Sequence, residues 1–231
     1  EICACLVGSE MCIRDRKPTS VITQYEQTGT FTEASFSFAD TAGFRALGVA
    51  LEDNSGVIVD NYSLRGNSGM ILSRLDSARC RELNEIRPYD LVVLQYGLNI
   101  VSDSVLQYGW YAKRMEEAVR HVRVCFPDAD ILMLGVSDRS RQVDGTFETM
   151  PAVLALLHAQ RQAARRSGVA FWNVFGAMGG ENSMVRFVEN NWASKDYTHL
   201  SFRGGKEIAS ALLKAILLEK EFYDEADKVA R

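Results

Sequence analysis

The sequence predicts an α/β protein in which a parallel sheet is covered by helices on both faces and is preceded by a shorter β-rich stretch. Three observations predict it. From residue 62 onward, short apolar runs alternate with longer segments of helical spacing, the order that builds parallel strands joined by crossover helices. The runs are apolar throughout, as strands buried on both faces are. Residues 21–61 instead show the two-residue period of strands with one solvated face.

The totals bound the class. At 231 residues, 47% hydrophobic and 24% charged, the chain can bury a full core without disulfides or metal. A net charge of −4 and no Lys/Arg block leave no electrostatic footprint for nucleic acid, which is excluded as a partner. No apolar run approaches the roughly 18 residues of a membrane-spanning helix. Of five cysteines, Cys3, Cys5 and Cys12 crowd the first dozen residues, leaving Cys80 and Cys125, so there is no disulfide framework. The C-x-C spacing lacks a matching His or second Cys pair, and no metal site or other cofactor is expected.

Taken in order, residues 1–16 read unlike the remainder: an apolar scrap, clustered Cys, then alternating charge. They resemble a translated sequencing-adaptor tail and are set aside as a cloning scar would be. In residues 17–56, Phe36 and Phe38 alternate with Ser35 and Ser37, as do Leu47, Val49 and Leu51 with their neighbours. Asn54-Ser55-Gly56 supplies a hairpin turn, with Val57-Ile58-Val59 as the returning strand. A helix over about 68–84 follows from Ile71, Leu72, Leu75 and Ala78, then a strand over 91–94. An amphipathic helix passes through Tyr111, Met115, Ala118 and Val122 to Pro127, and 131–134 is a buried strand. Thr149 with Pro151 just inside opens a helix that Gly168 ends. Residues 169–172 form the next strand, and Ser201 caps a last helix burying Ile208, Ala211, Leu212, Ala215 and Ile216.

Three constellations carry chemistry. The first is Asp196, three residues before His199, in the loop ahead of the last helix. An Asp accepting from one ring nitrogen fixes the His tautomer and leaves the other nitrogen free to take a proton. Of the three histidines, His121 and His158 sit in helical patterns and read as surface residues. The second is the Gly/Asn/Ser-rich turn Asn61-Tyr62-Ser63-Leu64-Arg65-Gly66-Asn67-Ser68-Gly69. It reads either as a tight loop with a helix cap or as a turn whose glycine lets a backbone N–H approach a substrate oxygen. The third is Tyr96-Gly97-Leu98-Asn99, where Asn99 is either a turn former or an oxyanion donor.

In this order, each after a strand, the three resemble the SGNH or GDSL-type hydrolases over residues 57 to about 218. The resemblance implies a three-layer α/β/α flavodoxin-like sheet, with Gly66 and Asn99 in the oxyanion hole and Asp196 and His199 as acid and base. Ile100 stands where that family usually has Asp. The family's Gly-Asp-Ser nucleophile block has no match: Gly8-Ser9-Glu10 lacks the Asp, and Ser63 and Ser68 flank the oxyanion glycine. The nucleophile, and the first strand that carries it, are expected upstream of residue 17. Ser63-Leu64-Arg65-Gly66-Asn67-Ser68-Gly69, and Phe171-Trp172-Asn173 followed by Gly179-Gly180, resemble the bacterial polysaccharide and peptidoglycan O-acetylesterases. That subgroup can carry a β-sandwich, carbohydrate-binding-like module between the serine and glycine blocks, so residues 17–56 read as the end of such an insert and 57–231 as the hydrolase domain.

The implied function is a serine esterase removing O-acetyl groups from a carbohydrate, with an acetylated glycan or small ester as substrate, no cofactor, and a periplasmic or extracellular location. The chain as given is expected to turn over little. The alternative is a non-catalytic carbohydrate-binding protein on the same scaffold. A dinucleotide-binding protein is disfavoured, because no Gly-x-Gly-x-x-Gly or Walker loop follows a strand.

Overall fold

Residues 2–6, 9–13, 24, 26, 28–30, 34–38, 47–53 and 55–230 are described by a computed structural model, in which the chain divides into two compact units, Glu1–Ser63 and Leu64–Arg231. In the first unit, Ile2–Leu6 (β1), Ser9–Ile13 (β2) and Ala34–Phe38 (β3) form an antiparallel sheet of order β2-β1-β3. Two of its strands thus lie within residues 1–16. The alternation at Phe36 and Phe38 falls in β3, opposite Ala4 and Ile2.

Two expectations for this unit are corrected. Leu47, Val49 and Leu51 lie outside any strand and are exposed. Val57-Ile58-Val59 is not a returning strand either, and Val57 is 92% exposed. A three-residue apolar run gains little without a ladder partner, and none is present among the described residues. Asn54, the first residue of the expected turn, lies outside the described residues.

The second unit begins with a 3₁₀ turn, Met70–Arg74, and Ser77–Ile86 (α1). The sequence reads one helix here, but Asp76 interrupts it: its side chain accepts from the backbone N–H groups of Ala78 and Arg79 and starts a new helix. The chain continues through Leu91–Gln95 (β4), Gly109–Cys125 (α2) and Asp130–Leu134 (β5). Ser140–Val143 (β6), Thr146–Thr149 (β7), Pro151–Ser167 (α3) and Ala170–Trp172 (β8) follow. Val174–Met178 (α4), Ser183–Glu189 (α5) and Phe202–Ala230 (α6) complete it.

Strands β4, β5 and β8 form a parallel sheet in that order, with Leu91 opposite Asp130 and Leu134 opposite Trp172. The two-residue period of β5 sorts the layers. Ile131 and Met133 pack with Leu94 against Tyr111, Met115 and Val119 of α2 and Val153 and Leu156 of α3. Leu132 and Leu134 turn the other way, against Val174 and Met178 of α4, Met184 and Phe187 of α5, and Ile208 of α6. The result is the expected α/β/α arrangement. Each fully buried side chain of this kind contributes about 1.5–3 kcal/mol.

β4 is an edge strand among the described residues. Leu94 is buried, whereas Leu91 and Val93 on its other face are 43% and 46% exposed. On α6, Ile208 is buried as expected but Ile216 is exposed, because the second half of the helix runs beyond the elements that cover its first half. Thr149 does not cap α3. Met150 takes that place, and Thr149 closes β7.

Candidate active site

The Asp196 loop is built from its own backbone. Ala193 and Leu200 pair across it as an isolated antiparallel bridge, and Ser194 donates from both N–H and Oγ to the His199 carbonyl, each at 2.8 Å. Inside this frame one carboxylate oxygen of Asp196, Oδ1, accepts from the N–H groups of Thr198 (2.9 Å) and His199 (3.0 Å). The other oxygen, Oδ2, lies 2.7 Å from His199 Nδ1. Hydrogen bonds from the His199 ring and its backbone N–H hold the Asp196 carboxyl down at about 2. An ionised carboxylate on Nδ1 favours the tautomer protonated there and leaves Nε2 as the acceptor. The imidazole is 77% exposed.

The turn that brings the imidazole back over Asp196 is made by Tyr197, whose φ is +53°. A non-glycine residue in the left-handed region costs on the order of 1–3 kcal/mol and persists only where its surroundings impose it. Here the Tyr197 carbonyl accepts from Ser140 N–H at 3.1 Å, and its ring lies flat on Phe147, centroids 3.6 Å apart and planes 7° from parallel. Both partners come from the β6–β7 hairpin.

That hairpin is the element beside the Asp196–His199 loop that the sequence reading missed. Its strands pair with Val143 opposite Thr146, leaving Asp144 and Gly145 as a two-residue loop, both with positive φ. Asp-Gly in such a loop is the type I′ signal, and it was legible. At the hairpin's base, Asp138 is fully buried and accepts from Thr149 Oγ1 (2.8 Å), Ser183 Oγ (3.3 Å) and Met184 N–H (2.8 Å). Thr149 and Asn182 exchange two further bonds at 2.7 and 3.0 Å. Removing a partner from a buried carboxylate is far costlier than a surface loss, so this knot fixes the hairpin's root.

The two residues expected in an oxyanion hole, Gly66 and Asn99, are brought together. Leu64 to Asn67 close a turn through Asn67 N–H and the Leu64 carbonyl, with Gly66 in the third place at φ +72°. A Cβ there would meet nothing within 4 Å, so the backbone angle, not space, calls for glycine. Asn99 Nδ2 donates to the Gly66 carbonyl at 2.7 Å, which uses one of its two N–H bonds and ties the two loops. From the other side Tyr111 Oη donates to the Ser68 carbonyl at 2.7 Å, and burial raises its phenol so that it stays a neutral donor.

Asn99 is placed by Gly97, at φ +113°, where a Cβ would lie 2.8 Å from Gln160 Nε2. Buried Gln160 donates to the Tyr96 carbonyl (2.7 Å) and accepts from Val136 N–H (2.9 Å), joining the segments that follow β4 and β5. The hairpin segment then bonds to residues beside both pairs. Arg139 donates to the Val101 carbonyl at 3.1 Å beside the Asn99 turn, and the next residue, Ser140, holds Tyr197. Both pairs therefore belong to the carboxyl end of the sheet, where open α/β sheets gather their binding loops. No group of three or more His, Cys, Asp or Glu among the described residues is set to hold a metal ion.

No protein-family model matches the sequence, and no curated protein matches it. Among solved structures, it is similar to a peptidoglycan O-acetylesterase at 28% identity and a TM-score of 0.57, over 69% of this chain and 45% of that one. The chain thus spans less than half the length of that protein. It is also similar to the lipase/acylhydrolase from Enterococcus faecalis (13% identity, TM-score 0.43, 65% of this chain and 71% of that one). A third is Est24, a carbohydrate acetylesterase from Sinorhizobium meliloti (20% identity, TM-score 0.42, 68% and 72%).

Proposed function

The α/β unit has the fold of the SGNH/GDSL-type hydrolases, and from that premise we propose that the chain carries the base and oxyanion parts of a serine esterase. Its substrate is a carbohydrate bearing O-acetyl groups, peptidoglycan or another polysaccharide. The observation that carries this reading is the 2.7 Å bond between Asp196 Oδ2 and His199 Nδ1, on a carboxylate whose second oxygen is already held by two backbone N–H groups.

The mechanism follows from these groups. His199 Nε2 takes the proton from a serine hydroxyl as it attacks the acetyl carbonyl, and Asp196 stabilises the imidazolium. The developing oxyanion receives Gly66 N–H and the second N–H of the Asn99 amide. His199 then returns its proton to the sugar oxygen as the tetrahedral intermediate collapses, and a water repeats the cycle on the acyl-serine. The serine belongs to a segment outside residues 17–231 that adds a strand to the open edge of β4. The edge position of β4 among the described residues supports the added strand, and the exposed Leu91 and Val93 leave a sheet face for the crossover that follows such a strand to cover.

The test is an acetyl-ester assay. The 231-residue chain alone is expected to show little turnover, and a protein extended with its native upstream sequence to show activity that His199→Ala lowers by about 10⁴-fold or more. Turnover by the chain alone that His199→Ala abolishes would overturn the external serine. Glycan binding by the extended protein with no ester cleavage would favour a non-catalytic carbohydrate-binding protein.

A further inference from the structure

The base of a hydrolytic site must hold its imidazole in one orientation, and here the bend that does so is intrinsically unfavourable. Tyr197 sits between Asp196 and His199 with φ at +53° and is neither Gly nor Asn, the residues that accept this conformation readily. The local bonds within the loop do not touch its ring. The residue packs on the core cluster that includes Met184, Phe187 and Ile208, and its ring is stacked face to face at 3.6 Å on Phe147, fifty positions earlier in the chain. The hairpin bearing Phe147 is itself immobilised at its tip by the Asp144-Gly145 turn and at its root by buried Asp138. Arg141, on β6, adds a bond to Asp103 Oδ1 at 2.9 Å on the Asn99 side.

We propose that Phe147 is a positioning residue: stacked on Tyr197, it holds the left-handed bend that sets the His199 imidazole on Asp196. This rests on reading those two residues as base and orienter. Phe147 touches none of the groups that react; it acts through Tyr197. Ser140 N–H on the Tyr197 carbonyl fixes the bend's height, and the Phe147 ring fixes its rotation.

The test reads the pair directly, by ¹⁵N shifts of the His199 ring and ¹³C titration of the Asp196 carboxyl, in the full chain. In the wild type, neutral His199 is expected to carry its proton on Nδ1. Phe147→Leu, which removes the flat ring, is expected to shift the neutral ring toward the Nε2–H form. The Asp196 midpoint then climbs from about 2 toward the ordinary ~3.9. Phe147→Tyr keeps the stack and is expected to restore both signals. Tyr197→Gly removes the other ring while easing the backbone, so it gives the same loosening without strain, and it decides the matter if Phe147→Leu unfolds. His121, whose Nε2 lies 2.7 Å from the Leu75 carbonyl, is the control and is expected not to move.

Unchanged His199 and Asp196 signals in the folded variants would overturn the proposal. So would equal movement at His121, or a Phe147→Tyr protein that behaves like the leucine variant. Neither signal needs turnover, so an extended protein that fails to cleave acetyl esters would sink the esterase reading and leave the role of Phe147 to be decided by these spectra.

Discussion

At the scale of single residues, the Asp196 carboxyl sets a pH window. Its acidity in the folded chain is raised, to a pKa of about 2 against an ordinary value near 3.9, by hydrogen bonds that only the folded loop supplies. The ionised form is therefore the one the fold favours. Its contribution is fully present above about pH 4 and is lost as pH falls through about 2. Since the pair is largely exposed, the loss is local and does not unfold the protein. The expected result is that ¹⁵N–¹H signals of Thr198 and His199, the two amides on Oδ1, move between pH 4 and 2 while those of β5 stay fixed. Both members of the pair were legible in sequence, since their spacing of three residues is read straight off. Tyr197 between them was not: nothing in its type announces a left-handed backbone, which long-range contacts impose on it.

At the scale of elements, the helices α2, α3 and α6 and the strands β4, β5 and β8 were legible because each carries its own apolar period. The β6–β7 hairpin was not, because Ser140-Arg141-Gln142-Val143 and Thr146-Phe147-Glu148-Thr149 are mostly polar and bury little against the core. Its turn was the signal, and its weight lies in hydrogen bonds rather than apolar area. The split before α1 escaped for a related reason: Asp76 competes with an apolar pattern that runs on past it. The start of α6 offers a test of packing. A Cβ on Gly204 would lie 1.9 Å from the Trp192 carbonyl oxygen, a backbone atom that cannot turn aside. Gly204→Ala is therefore expected to lower stability by about 1–3 kcal/mol, measured by urea denaturation, where Gly205→Ala, with open space at its Cβ, has no such clash. Equal stability of the two variants would mean that α6 can move away from Trp192.

At the scale of the whole molecule, the α/β/α layering was legible from alternation alone, and the missing first strand implied an open edge; that β4 is an edge strand among the described residues was not legible, since Leu91-Val92-Val93-Leu94 reads as a strand buried on both faces. An apolar edge strand with unpaired backbone groups is a template for pairing with another chain. The chain alone is expected to self-associate at high concentration, and Val93→Lys to reduce that association in sedimentation velocity while leaving the Asp196 and His199 signals unchanged. Self-association that Val93→Lys leaves intact would place the contact elsewhere, and the exposed apolar side chains of α6, such as Leu213 and Leu217, would be next to try.

The Asp144-Gly145 turn has a consequence for the order in which the molecule assembles. A hairpin closed by two residues already suited to positive φ forms in microseconds and asks for little chain entropy. The contact between Asp196 and His199 spans three residues and is equally local. The Phe147 and Tyr197 rings, separated by half a hundred residues, can meet only when β8 and the helices after it have docked. Early folding is thus expected to prepare two finished half-pieces, which the late Phe147–Tyr197 stack and the Ser140–Tyr197 hydrogen bond bring into register.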